Sequence, residues 1–185
     1  MIKLEINRIP SQGLALVEEI PARQWPVLKH CGTSGECTFT TPVCFNLRVL
    51  PEKDLVIVKG QFETKVTLAC SRCLDTYETV LKQRFTLRFG REIAEALHDD
   101  TSGEVELTAD QIGISYFEGE EIVLDDALQE QVILALPIKP LCRPDCKGLC
   151  QNCGADLNHE PCTCSKVVRD TPFSILKNIQ LPTKE

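Results

Sequence analysis

Cys150 and Cys153 are separated by two residues, and Gly154 follows directly. This spacing lets one tight turn present two thiolates to a single ion, and a residue without a Cβ lets the backbone curl so that its amides point at the sulfurs. The pair lies within LCRPDCKGLCQNCGADLNHEPCTC, residues 141–164, which holds six of the chain's eleven cysteines: Cys142, Cys146, Cys150, Cys153, Cys162 and Cys164. Disulfide frameworks spread their cysteines, whereas metal sites pair them closely. The chemistry read from this stretch is therefore thiolate ligation of zinc in the manner of a zinc knuckle.

A closed structural zinc site takes four thiolates, so six leave two over. The other pair with two-residue spacing is Cys70 and Cys73, in CSRC. Eight thiolates fill two sites and imply two structural zinc ions. Two divisions are open. In the first, Cys70, Cys73, Cys142 and Cys146 hold one ion, joining a mid-chain turn to the C-terminal segment, while Cys150, Cys153, Cys162 and Cys164 close a small ribbon around the other. In the second, Cys142, Cys146, Cys150 and Cys153 share an ion and Cys162 and Cys164 complete the Cys70 pair. The first is preferred, because the Cys146 to Cys150 spacing leaves the ribbon free to form its own site. Cys162 and Cys164 are one residue apart, which is tight for adjacent ligands and makes His159 an alternative to Cys162.

Competing chemistries are weaker. Metal-free buried thiols suit an apolar setting, and these cysteines are flanked by Lys139, Arg143, Asp145, Lys147, Asn152, Asn158 and His159. Iron-sulfur ligation remains chemically open to four thiolates, although the ferredoxin spacing is not reproduced. CSRC after a strand also suits a redox dithiol, but sharing a metal with the second cluster favours a structural use. Closed four-sulfur sites leave no position for water, and no Gly-rich phosphate loop, GxSxG or HExxH occurs. His30, His98 and His159 form no evident triad. A non-enzymatic protein with no small-molecule substrate is expected.

The elements that must position these cysteines are mostly strands. IKLEINRI alternates with period two, and GLALVEEI follows a turn at residues 10–13. PARQWPVL is expected to make one helical turn ending before Pro26, with HCGTSGE as loop. CTFTTPVCFNLRVL, LVIVKGQFETKVTLA and TYETVLKQRFTLRFG then read as antiparallel hairpin strands, with CSRC in the turn between the last two. GISYFEGEEIVL reads as a returning strand. DDALQEQVILAL reads as a helix starting at Asp125 or Asp126, with Leu128, Val132 and Leu136 on its buried face and its end at Pro137. After the ribbon, a short amphipathic helix is expected with Asp170 or Thr171 as cap, Pro172 first, and Phe173, Leu176 and Ile179 as its stripe. The fold class is α+β: an antiparallel β-rich core domain over 1–140 with one main helix, then a zinc-ribbon-like segment and terminal helix over 141–185.

Net charge is −7 over 185 residues, which argues against a chain that binds nucleic acid over its whole surface. Residues 1–91 carry thirteen Lys and Arg against nine acids, whereas residues 92–126 carry twelve acids and no Lys or Arg. The acid forms a block, an excursion over about 92–121, that suits a basic partner or plain solvation. Lys82, Arg84 and Arg88 share a strand parity opposite Phe85, Leu87 and Phe89, which makes them a solvated face or an RNA-facing strip. The odd cysteine count and the lack of a signal-peptide pattern at the start point to a reducing cytosol. Cys31, Cys37 and Cys44 read as free thiols. No apolar run is long enough for a membrane helix.

LACSRCLDTYE, ILALPIKPLCRPDCKGLCQNCGADLN with its following CTC, and the tail DTPFSILKNI together resemble the YceD family, the large ribosomal RNA subunit accumulation proteins. The likeness covers nearly the whole chain. Family tails more often read Asp-Pro-Arg where this chain has Asp170, Thr171, Pro172 and Phe173, so no arginine role carries over. Relatives that keep the CSRC-like pair without the GLC ribbon agree with a site built from Cys70, Cys73, Cys142 and Cys146 alone. The resemblance implies a cytoplasmic bacterial protein needed for accumulation or processing of large-subunit (23S) ribosomal RNA in ribosome assembly. Its partners would be ribosomal RNA or a pre-ribosomal particle, with a basic ribosomal protein facing the acidic block. Two rival readings stand beside it: a protein-interaction module acting through the acidic block or terminal helix, and a thiol redox protein or redox-switched chaperone.

Overall fold

A computed structural model describes residues 2–33, 37–53, 55–91 and 113–164. Among these, β1 (Lys3–Glu5) pairs antiparallel with β8 (Glu121–Val123) as a small separate sheet. The main sheet runs in the order β2 (Leu14–Ile20), β4 (Val43–Glu52), β5 (Leu55–Ala69), β6 (Thr76–Arg91) and β7 (Ile114–Phe117), with β3 (Cys37–Phe39) also paired to β5. Two helices complete it, α1 (Pro26–Thr33) and α2 (Asp125–Leu134). The β5–β6 hairpin is the axis of the molecule, since its register is unbroken from Leu55 opposite Gly90 to Ala69 opposite Thr76. CSRC is its turn.

Strict alternation explains the layering. Val56, Val58, Phe62, Val66, Leu81, Phe85 and Phe89 point inward with Val43, Phe45, Leu47 and Val49, as period-two patterning requires when one face is buried. Gly60 occupies an inward position, where a Cβ would lie 2.5 Å from the Phe85 ring; its absence makes room for that ring beside Phe45 and Phe62, at centroid separations of 6.4 Å each. Trp25, Leu28, Ile122, Leu124, Leu128 and Val132 cover this core from α1, β8 and α2. Asp125 fastens the cover, accepting hydrogen bonds from the Ile2 amide at 2.7 Å and Trp25 Nε1 at 3.0 Å. Buried Gln129 accepts from the Val27 amide at 2.9 Å, satisfying one of the orphan donors at the start of α1.

Three sequence expectations are corrected. The helix near residue 26 begins at Pro26 and runs to Thr33, so most of the expected loop is helical. Proline is tolerated in a first helical turn, where its missing N–H would be unpaired anyway, and only a 3-10 turn over Ala22–Gln24 precedes it. The stretch from Gly113 divides into β7 and β8 at a turn where Gly119 has φ +80°. The sheet is mostly antiparallel but not wholly so, because β7 runs parallel to β6, with Arg88 opposite Ile114. The helix expected from Asp125 to Pro137 forms over Asp125–Leu134 and buries Leu128 and Val132, while Leu136 lies beyond its end, partly buried against the core. Acidic residues 92–112, His98 and the expected terminal helix lie outside the described residues.

Candidate metal centre

Each C-x-x-C pair is built by the same local turn. At Cys70 the amide donates to Asp75 O at 2.9 Å, and Leu74 N donates back to Cys70 O at 3.0 Å. At Cys150 the amide donates to Ala155 O at 2.8 Å, and Gly154 N donates to Cys150 O at 2.9 Å. Arg72 N points at Cys70 Sγ from 3.5 Å and Asn152 N at Cys150 Sγ from 3.4 Å. The turn needs a left-handed residue after the second cysteine: Gly154 supplies it at φ +75°, Leu74 at φ +66°. Amides aimed at a sulfur favour the thiolate. The Cys70 thiol is accordingly held down at about 6, chiefly by the Cys142 backbone and then by Cys73, and Cys150 at about 6 by the Cys153 and Asn152 amides.

The sulfurs gather in two groups of four, Cys70 with Cys73, Cys142 and Cys146, and Cys150 with Cys153, Cys162 and Cys164, each within 4.8 Å. In the first, Cys70 Sγ is 3.8 Å from Cys146 Sγ and Cys73 Sγ is 3.7 Å from Cys142 Sγ. In the second, Cys162 Sγ lies 3.5 Å from Cys153 Sγ and 3.4 Å from Cys150 Sγ. Thiolates about 2.3 Å from a tetrahedral zinc sit about 3.8 Å from one another, whereas a disulfide requires about 2.05 Å. Both groups have the dimensions of a four-thiolate zinc site and neither those of a disulfide. Their composition follows the first of the two divisions above, and His159 lies apart from both, its Nε2 3.5 Å from Asp156 Oδ2 and near Asp75.

Burial and mutual hydrogen bonding oppose ionisation of Cys73, Cys142, Cys162 and Cys164. Desolvation raises Cys142. Cys73 is also raised: the Asp75 amide pulls it down, but burial and the thiols of Cys70, Cys142 and Cys146 outweigh that pull. Cys164 is pushed up to about 12, first by its hydrogen bond with Cys162. Four thiols so close cannot all be anions without a cation among them, and a divalent ion removes that restraint.

Three members of the first group are buried, with Cys70 at 0%, Cys146 at 2% and Cys73 at 4% exposure, and Cys142 is half-buried, while Cys153 and Cys164 of the second are exposed. Around the first, Ser71 N donates to Pro140 O at 2.8 Å, Leu149 N to Arg72 O at 3.0 Å, and Arg72 Nη1 to Cys146 O at 2.7 Å. Gly148, at φ +73°, lies so close that a Cβ would come within 2.9 Å of Arg72 O. Asn158 joins the two groups, since its Nδ2 reaches Cys146 Sγ at 3.4 Å and its Oδ1 accepts from Lys147 N at 2.8 Å. Sequence reasoning missed Asn158, Gly148 and Leu74; only Gly148 carried a signal, as a glycine between two cysteine pairs. Lys82, Arg84 and Arg88 are exposed on the outer sheet face, away from the sulfurs, and Lys82 pairs with Glu63 at 2.9 Å.

Fold and sulfurs define a protein of a mostly antiparallel sheet, capped among the described residues by two α-helices, whose central hairpin turn carries half of a four-cysteine cluster. Residues 58–180 match the family model described as large ribosomal RNA subunit accumulation protein YceD, a span that includes all eight clustered cysteines. The chain belongs to that family. It is 27% identical over 164 residues to the chloroplastic large ribosomal RNA subunit accumulation protein YCED homolog 1 of Arabidopsis thaliana, covering 78% of this chain and 51% of that one. The Zea mays homolog of the same name is 26% identical over 143 residues, covering 67% and 49%. An uncharacterized protein of Mycobacterium tuberculosis is 33% identical over 116 residues, covering 63% and 52%. The chain thus spans about half the length of these relatives. No solved structure matches. No described helix is long and apolar enough to cross a membrane.

Proposed function

We propose that this chain is a non-enzymatic factor in the accumulation of large-subunit (23S) ribosomal RNA, held in shape by two structural zinc ions and acting in the bacterial cytoplasm on a pre-ribosomal particle. The observation that carries the reading is the family match across residues 58–180, because that span contains both sulfur groups. Cys70, Cys73, Cys142 and Cys146 would clamp the hairpin turn to the segment after α2, and Cys150, Cys153, Cys162 and Cys164 would close the ribbon. A zinc ion with four thiolates supplies rigidity and no open coordination position, which fits assembly rather than hydrolysis. On this reading the chain divides at about residue 140 into a β-rich core and a metal-tethered segment.

Two measurements test it together. Protein purified without chelator should carry two zinc ions per chain, with Cys73→Ser and Cys150→Ser each losing one. Cells depleted of the chain should lose large-subunit ribosomal RNA relative to small-subunit RNA and recover it with the wild-type chain. Unchanged RNA on depletion would remove the functional reading. Metal-free protein whose thiols react readily would favour the redox one.

A further inference from the structure

The outer face of the main sheet is divided electrostatically. Toward the CSRC end, acids and bases neutralise one another: Lys82 pairs with Glu63 at 2.9 Å and Lys65 with Glu78 at 3.5 Å. Toward the other end they do not. The register sets Ala15, Arg48, Lys59 and Thr86 in one row across β2, β4, β5 and β6, and Val17, Asn46, Gln61 and Arg84 in the next, while Arg88 lies opposite Ile57. Arg48, Lys59, Arg84 and Arg88 are all exposed. Among the described residues none of the four has a carboxylate partner, and no acid stands among them.

Arg48 and Lys59 are direct cross-strand partners. Like charges placed so are destabilising, and a sheet selected for stability alone would set an acid at one of the two positions, as this one does at Glu63 and Lys82. We infer that the patch of Arg48, Lys59, Arg84 and Arg88 binds the phosphate backbone of RNA, an inference that rests on the ribosomal RNA reading above. Strands about 4.8 Å apart, with outward residues about 6.6 Å apart along each, present these cations as a flat grid. Asn46, Gln61 and Thr86 add neutral donors or acceptors of the kind that accompany Arg and Lys at phosphates. A protein partner would instead call for an apolar anchor at the patch centre, whereas the apolar side chains here stand at its border, Val17 on the edge strand β2 and half-buried Ile57 opposite Arg88. Tyr116, opposite Gly90 at the sheet edge, is the one aromatic side chain on this face among the described strands, so base stacking is minor and recognition follows the backbone. Arg48 and Lys59 come from strands distant from the Lys82, Arg84 and Arg88 strip in sequence, and only the register joins them to it.

The experiment measures binding of the full chain to a transcript of a large-subunit ribosomal RNA domain at several salt concentrations. Arg48→Gln, Lys59→Gln, Arg84→Gln and Arg88→Gln should each reduce the magnitude of the log affinity against log salt slope by about 0.7–0.9, and the fourfold variant by about 3. Lys29→Gln on α1 makes the same change in net charge on the other side of the sheet and should leave the slope unchanged. Lys59→Gln should also raise the melting temperature while weakening binding, since it removes a repulsion the free protein carries. Wild-type chain that binds no RNA at low salt overturns the inference, as a surface for an acidic protein would give that result. So does a fourfold variant with wild-type affinity and slope. The depletion experiment is read independently: ribosomal RNA that falls on depletion and is restored equally by wild type and the fourfold variant keeps the functional reading and removes this surface from it.

Discussion

Leu74 and Gly154 stand at the same position of two matching turns, and the difference between them sets the first prediction. A leucine at φ +66° has its Cβ against the following carbonyl, at a cost of about 1–2 kcal/mol that glycine does not bear. Leu74 is also 66% exposed, so little packing is lost with its side chain. Leu74→Gly should raise the unfolding free energy by about 0.5–1 kcal/mol, after allowance for glycine's freedom in the unfolded chain, and Gly154→Ala should lower it by about 1 kcal/mol. Denaturant melts of the metal-loaded protein decide both, and a loss of stability in Leu74→Gly would mean that the side chain has contacts the turn depends on. Asn158 supports a second prediction. Its amide points at Cys146 Sγ, so Asn158→Leu should weaken metal retention about 10–100-fold in competition with a chromophoric chelator, without removing a ligand. Asp156 holds Asn158 in turn, and hydrogen bonds from the Asn158 amide lower its carboxyl below the ordinary 3.8. A depressed folded-state value means a contribution present above 3.8 and lost as pH falls through the lower value, so the difference in ribbon order between wild type and Asp156→Asn, followed by amide exchange, should persist above 3.8 and vanish below that acid window. Gly154 could be read from the sequence because glycine announces a left-handed turn. Nothing about the letters Leu74 or Asn158 announces theirs.

At the scale of elements, the β5–β6 hairpin determines where everything else can stand. It buries one face against α1, α2 and β8, and it carries Cys70 and Cys73 at its turn. Gly60 sits inward at its middle beneath Phe85, so Gly60→Val should destabilise by about 1–3 kcal/mol through overpacking, visible as a lower thermal midpoint. Asp125→Ala would leave the Trp25 indole N–H and the Ile2 amide without their acceptor. A loss of about 1–3 kcal/mol is expected, with the N-terminal strand exchanging its amides faster; unchanged exchange there would show that β1 is held by its pairing with β8 alone. The strands were legible because their alternation is regular and one face is buried. α1 was not, because Pro26 signals a stop and a start equally, and only the packing of Trp25 and Leu28 beneath the sheet selects the start.

Across the whole molecule, the two sulfur groups differ in depth, and their behaviour should differ with it. Chelator should take the ion of the half-exposed Cys150 group first and that of the buried Cys70 group later, as two phases of release. Loss of the first group by Cys70→Ser should loosen the hairpin turn and the C-terminal segment together under limited proteolysis, whereas Cys150→Ser should expose the ribbon alone. The sequence by itself determined the strand alternation, the paired thiols spaced as metal ligands are, the acidic block and the family likeness. These are properties of neighbours along the chain, where spacing is geometry. Tertiary structure alone decided that the Cys70 turn meets Cys142 and Cys146, that β7 lies parallel to β6, and that Arg48 and Lys59 join Arg84 and Arg88 in one patch without a carboxylate partner among the described residues. Each of these depends on sheet register and on which segments dock at a sheet end, and register is set by burial of a whole face rather than by any local run of residues.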